Sequence, residues 1–150
     1  MVLTLGTISL STLAADWRLL PYANPQVKVY YDWQSLKDQT YDLSYDESFR
    51  YFDIRFRLDY QSPQKLKSGK YYTTQYHMLS VACEEKQYAK TDFEWYINKS
   101  KAAENKEIPL SAAWEDFKVV PKVRTLNSDQ IKQYSFAAIQ ATAICSQLIG

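Results

Sequence analysis

Residues 50–60 constrain this chain more than any other stretch. They read Arg-Tyr-Phe-Asp-Ile-Arg-Phe-Arg-Leu-Asp-Tyr. Side chains on a strand alternate between two faces. Phe52, Ile54, Phe56, Leu58 and Tyr60 therefore share one face, and Tyr51, Asp53, Arg55, Arg57 and Asp59 share the other. The pattern predicts a strand with one face in a core and one in water.

Residues 86–98 repeat the pattern, with Ala89, Thr91, Phe93, Trp95 and Ile97 facing one way and Tyr88, Lys90, Asp92, Glu94 and Tyr96 the other. Residues 70–84 are less regular. Leu79, Val81 and Cys83 share a face, but Tyr72, Tyr76 and Met78 fall on the opposite parity, which a β-bulge near His77 would reconcile. Glu84-Glu85-Lys86 is a tight connection, so the two strands form an antiparallel hairpin. Upstream, Trp17-Arg18-Leu19-Leu20 and the alternating run 27–33 read as two further strands. Residues 34–48 read as a loop with one helical turn near Ser35. Pro63 and Gly69 mark a loop over 61–69. Residues 99–110 read as a loop or a short exposed helix around 101–105, and 114–120 hold a last short strand.

The period then changes. Asn127-Ser128-Asp129-Gln130 is a helix start, with a capping side chain and Gln at the third helical position. Ile131, Tyr134, Ser135, Ala138, Thr142, Cys145 and Ile149 fall in one arc at helical spacing, which predicts an amphipathic helix over 128–148. The fold class is α+β: an antiparallel sheet of five to six strands with this C-terminal helix packed on one face. The inward set is Val27, Val29, Phe52, Ile54, Phe56, Leu58, Val81, Phe93, Trp95 and Ile97.

Residues 1–15 carry no charged or aromatic side chain and end on small residues, with Thr12-Leu13-Ala14 before the break. This is the apolar part of a secretory signal peptide, and 16–150 is one domain. No cysteine near the cleavage point encodes a lipid anchor, and no apolar run is long enough to span a bilayer. Cys83 and Cys145 each fall on a core-facing pattern. In an exported chain that predicts a Cys83–Cys145 disulfide, the alternative being two unpaired core thiols.

Several functions are excluded by what is missing. A net charge of +1 gives no footprint for nucleic acid. The glycines are Gly6, Gly69 and Gly150, too few for a phosphate-binding loop or dinucleotide fingerprint. His77 is the single histidine, and no G-x-S-x-G elbow occurs. Two cysteines and one histidine fall short of a structural zinc site, and Asp42, Asp46 and Glu47 lack the ordering of a calcium loop. The expectation is no enzyme, no cofactor and no metal. What remains is the polar sheet face, where Tyr51, Arg55, Arg57 and Tyr96 combine the residue types enriched at binding hot spots.

One resemblance adds to this reading. The export segment, the run Val29-Tyr30-Tyr31-Asp32 with Ser35, the strand from Gln75-Tyr76-His77-Met78-Leu79 to Cys83, Trp114, and a C-terminal helix with Ala138, Ala141, Ala143 and Cys145 together resemble the surface-adhesin protein E family of Gram-negative bacteria. The resemblance implies a six-stranded antiparallel sheet backed by a helix, in a small surface or periplasmic protein. It implies an adhesin that binds host matrix or plasma proteins. None of that family's binding residues has a counterpart here. The functional expectation is a non-enzymatic, adhesin-like module of the cell envelope, exported to the periplasm or outer surface, with protein partners and a homodimer among its states. A periplasmic inhibitor of the lysozyme-inhibiting type, or a small-ligand-binding protein, is the alternative.

Overall fold

The structure is a computed structural model that describes residues 14–21 and 24–149. The expected signal segment lies outside the described residues, apart from Ala14 and Ala15. Seven strands form one antiparallel sheet: β1 (Trp17–Leu19), β2 (Val27–Asp42), β3 (Ser48–Lys65), β4 (Tyr71–Ala82), β5 (Gln87–Ile97), β6 (Ser100–Asn105) and β7 (Glu115–Asp116). The first six pair in chain order, and β7 adds to β5 beside the end of β6. Two helices follow, α1 (Ser128–Ile131) and α2 (Phe136–Ile149). The sheet thus has seven strands rather than five or six. The extra one is β6, where 100–105 extends β5 as a hairpin instead of forming a helix or loop.

The alternation in β3 holds where the sheet is covered. Ile54, Phe56 and Leu58 are buried beside Val27, Val29 and Tyr31 of β2 and Leu79 and Val81 of β4. Phe52 packs half-buried against this core, while Phe93, Trp95 and Ile97 are half-buried and stay outside it. Burying such a set removes apolar surface from water at roughly 25 cal/mol per Å², the main favourable contribution to a fold of this kind.

Residues 34–42 are strand, not loop. The parity of β2 is reset by a bulge between Asp32 and Lys37. Asp32 builds it: its carboxylate accepts the backbone N–H groups of Asp16 and Gln34, and its carbonyl accepts the Ser35 hydroxyl. Ser35 Oγ in turn accepts the N–H of Arg55 on β3 at 2.8 Å. The Asp-x-x-Ser spacing is therefore a backbone device that replaces lost ladder bonds.

The bulge expected in β4 near His77 sits opposite it. Tyr76 pairs with Glu94 and Met78 with Thr91, so the extra residue belongs to β5, at Asp92. Asp92 has φ 53°, a left-handed conformation that Asp tolerates better than most side chains. The consequence is a change of face within β5. Phe93 and Trp95 stay on the helix side with His77 and Gln75. Ala89 and Thr91 turn to the other side, and Tyr88 and Lys90 take their place, opposite Val81 and Leu79.

The C-terminal helix is interrupted. Asn127 and Gln130 form the expected capping box around α1. The chain then turns, and Ser135 caps a new helix by accepting the N–H of Ala138 at 3.1 Å. Residues 137–144 of α2 are buried at every position. A one-sided amphipathic helix would not be. α2 lies between the sheet and the segment 117–126, whose Phe117, Val120 and Val123 join the same core. Thr142 Oγ accepts the N–H of Val120 at 3.1 Å and ties that segment down. Cys83 and Cys145 are disulfide-bonded with Cα atoms 5.7 Å apart, fixing α2 to the end of β4. Among the described residues, no helix is long and apolar enough to cross a membrane.

Candidate functional site

The sheet face away from α2 is the one the polar parity of β3 predicted. Its register aligns Tyr30, Arg57, Tyr76, Glu94 and Glu104 in one row across β2 to β6. Residues Leu110 and Trp114 cover one end, packing on Phe49, Tyr51 and Ala82. The other end is open, and there the aromatic and arginine side chains collect.

Arg55 and Tyr96 come together in a pocket of about 370 Å³ lined also by Thr73, Thr74, Tyr76, Glu94, Asn98 and Lys99. The Arg55 guanidinium lies over the Tyr76 ring at 5.1 Å and donates to Glu94 at 2.8 Å. Tyr76 and Tyr96 meet edge to face at 5.5 Å. Glu94 also takes Lys106 at 3.0 Å and Lys101 at 3.4 Å. Burial alone would raise the Glu94 carboxyl. The hydrogen bonds from Lys106 and Arg55, with their charges, outweigh it and hold the group below its ordinary value. Glu94 thus remains an anion that orients three cations around the pocket.

Arg57 lies beside the pocket rather than in it. Its guanidinium sits between the rings of Tyr30 at 4.3 Å and Trp17 at 4.9 Å. Its Nε lies 3.4 Å from the Asp59 carboxylate, but the alignment is not that of a hydrogen bond. Trp17 touches Tyr76 at 5.9 Å, which joins the two clusters into one stripe. Cation–π contacts of this kind hold an arginine flat and partly desolvated, the state in which it serves as a binding anchor.

Tyr51 does not belong to this site. It is 8% exposed, packed with Phe49 and Tyr41 beneath Trp114. The polar parity of β3 put Tyr51 in water because the alternation says nothing about which chain segment later covers that face. Tyr76, Glu94, Trp17 and Tyr30 are site residues the alternation did not single out. Tyr76 had a visible signal, since its parity in β4 opposed that of Leu79 and Val81.

His77 points to the opposite side of the sheet from this face. It is fully buried on the helix side, with Phe56 stacked on it at 5.6 Å and Phe93 at 5.6 Å. Its protonation follows from its neighbours. The Trp95 indole can only donate, so Gln75 Oε1 accepts it at 2.9 Å. Gln75 Nε2 must then donate to His77 Nδ1, 3.1 Å away, which leaves the ring proton on Nε2. Burial, then the charge of Lys90, pushes this imidazole well below its ordinary value, although the Gln140 amide opposes the shift. The Gln140 amide is itself fully buried and makes no hydrogen bond that meets geometric limits. A neutral, enclosed histidine of this kind is part of the packed interior. Among the described residues, no group of three or more His, Cys, Asp or Glu side chains is placed to hold a metal ion.

No family model, no curated protein and no solved structure matches this chain.

Proposed function

We propose that the protein is a non-enzymatic binding module of the cell envelope, adhesin-like, which takes protein partners on the open end of the outer sheet face. The observation that carries this is the stripe Tyr30–Arg57–Trp17–Tyr76–Arg55–Tyr96, where two arginines are held against aromatic rings on a face the helix does not cover. Tyr, Trp and Arg concentrate binding energy because they bring large, rigid contact area with a polar end. The disulfide supports export to an oxidising compartment, periplasm or outer surface. The resemblance to surface-adhesin protein E proteins supports host matrix or plasma proteins as the partner class.

A second reading, the envelope inhibitor, draws on the β2–β3 hairpin. Its tip carries Leu43 at 59% and Tyr45 at 107% exposure, beside Asp46 and Glu47. The turn is closed by Leu43 N–H donating to the Glu47 carbonyl at 2.8 Å. A rigid projecting tip is what insertion into an enzyme cleft requires. Of the stretches 34–48 and 99–110, read from the sequence as loop or short helix, 34–42 and 100–105 are strand, and 43–47 forms the tip of the β2–β3 hairpin.

Pull-downs against matrix proteins, plasminogen and lysozyme separate the readings. Arg55→Ala/Arg57→Ala should abolish capture of matrix and plasma proteins, and Tyr45→Ala should leave it intact. If the double variant captures every partner as wild type does, the outer-face reading fails. If lysozyme alone is captured, and Tyr45→Ala loses it, the inhibitor reading replaces it.

A further inference from the structure

We infer that the groove between α2 and the segment 119–125 is a binding site for a single-chain anionic amphiphile, of the fatty-acid class. The groove lies on the helix side of the sheet, away from the proposed protein-binding face, and measures about 810 Å³. Trp33, Val119, Val120 and Pro121 give it apolar walls, and Lys122 and Arg124 line it as well. Val119 is 53% exposed, an apolar side chain left facing water at the opening.

The charges decide the ligand class. The lining holds two cations and no carboxylate. α2, which forms one side, carries no charged residue along its whole length. Of the carboxylates near Trp33, Asp32 is buried and engaged by two backbone N–H groups, and Asp16 is paired at 2.9 Å with Arg18, whose guanidinium lies over the Trp33 ring. An apolar trough with positive charge and nothing to balance it suits a molecule with an apolar body and one anionic end. A cationic or neutral amphiphile would leave Lys122 and Arg124 without a counter-charge.

The walls of the groove are fixed by the fold. Val120 is anchored by its N–H to Thr142 of α2, and Val123 is buried in the core. Gln147, on the α2 side, is fixed by the Tyr31 hydroxyl at 3.1 Å. Lys122 takes φ 51° and ψ 44°, a left-handed conformation unusual for lysine, at the point where the chain turns between Pro121 and Val123. A preformed, largely apolar cavity with a few fixed polar groups is the general form of a small-molecule site.

Calorimetric titration with dodecanoate, below its micellar concentration, tests the assignment. The expected result is saturable one-to-one binding, weaker for dodecanol and absent for dodecyltrimethylammonium. Lys122→Ala/Arg124→Ala, which alters exposed side chains only, should weaken dodecanoate about tenfold and leave dodecanol unchanged. Val119→Asp should abolish binding of both. Arg55→Ala should bind dodecanoate as wild type does, so failure on the outer face and failure here are separate results. Absence of saturable binding overturns the proposal. So does equal binding of all three amphiphiles, or wild-type binding by the double variant. A dimer in sedimentation that Val119→Asp dissociates would assign the groove to a second copy and overturn it too.

Discussion

Lowering the pH from 7 to 5 is expected to destabilise this fold through His77, by up to about 2 kcal/mol, the bound reached when the buried ring takes up no proton in that range. The unfolded chain binds a proton at the ordinary imidazole value of 6.5. The folded chain holds the ring neutral because it is fully buried, with Lys90 nearby as a repelling charge. The folded value is depressed, so the stability is present above 6.5 and is lost as the pH falls below it. The loss is about 1.4 kcal/mol per pH unit once the unfolded chain is protonated, and rounding near the midpoint brings two units to about 2 kcal/mol. Other groups contribute little to the difference. Lys90, depressed to about 8 by burial against the pull of Glu115, is charged in both states below pH 7. Glu94 is held low, so it costs stability only nearer the unfolded carboxyl range. Asp53, raised by burial although the Ser80 hydroxyl opposes this, works in the other direction as the pH falls. Urea midpoints at pH 7 and 5 for the wild type and His77→Gln isolate the histidine, since the carboxylates cancel. The variant should lose less between the two pH values, by up to about 2 kcal/mol. An identical loss in both proteins would refute the reasoning. Should the variant fail to fold, the ring can be followed by NMR in the wild type, where it is the single histidine. A midpoint near 6.5 in the folded protein would be equally fatal.

Lys90→Met should stabilise the protein at pH 7, because it removes a desolvated amine that lies over the Phe136 ring at 5.5 Å. The gain should be greatest below pH 8 and shrink as the pH rises towards 10.5, where the unfolded lysine also loses its proton; thermal melts across that range check it. Cys83 and Cys145 are separated by 62 residues, so replacing both with Ala should cost about 4 kcal/mol in denaturant unfolding. Thiol titration of unreduced, denatured protein should find none. Thr142→Val leaves the buried Val120 N–H without its acceptor and should cost about 1–3 kcal/mol, measured by urea unfolding. Asn127→Ala removes the capping box of α1, for about 1 kcal/mol by the same assay.

The local pattern carried far in the centre of the sheet. Ile54, Phe56 and Leu58 are buried because period 2 is imposed by strand geometry, and any strand with that sequence must put them on one side. The Asn127–Gln130 capping box was legible because both partners lie within four residues. The pairing of Cys83 with Cys145 followed from two local patterns, each turning its thiol towards the same interior.

What the sequence could not carry was anything decided by a neighbour distant along the chain. Asp92 is an ordinary member of an alternating run until β4 is laid beside it. The two-against-one pairing there turns Ala89 and Thr91 to one face and Lys90 to the other. Tyr51 and Arg55 have the same parity on β3, yet Trp114 buries one and leaves the other open. The arc of α2 looked one-sided because the segment 117–126, which covers its second side, reads as the end of a short strand stopped by Pro121, and nothing in that pattern shows it packing on the helix. Strand parity and helix caps were determined by the chain itself, since backbone geometry acts between near residues. Which face is covered, and so where Arg55, Tyr76 and Tyr96 stay only partly buried, was decided by tertiary packing, since burial depends on residues that meet only in the folded protein.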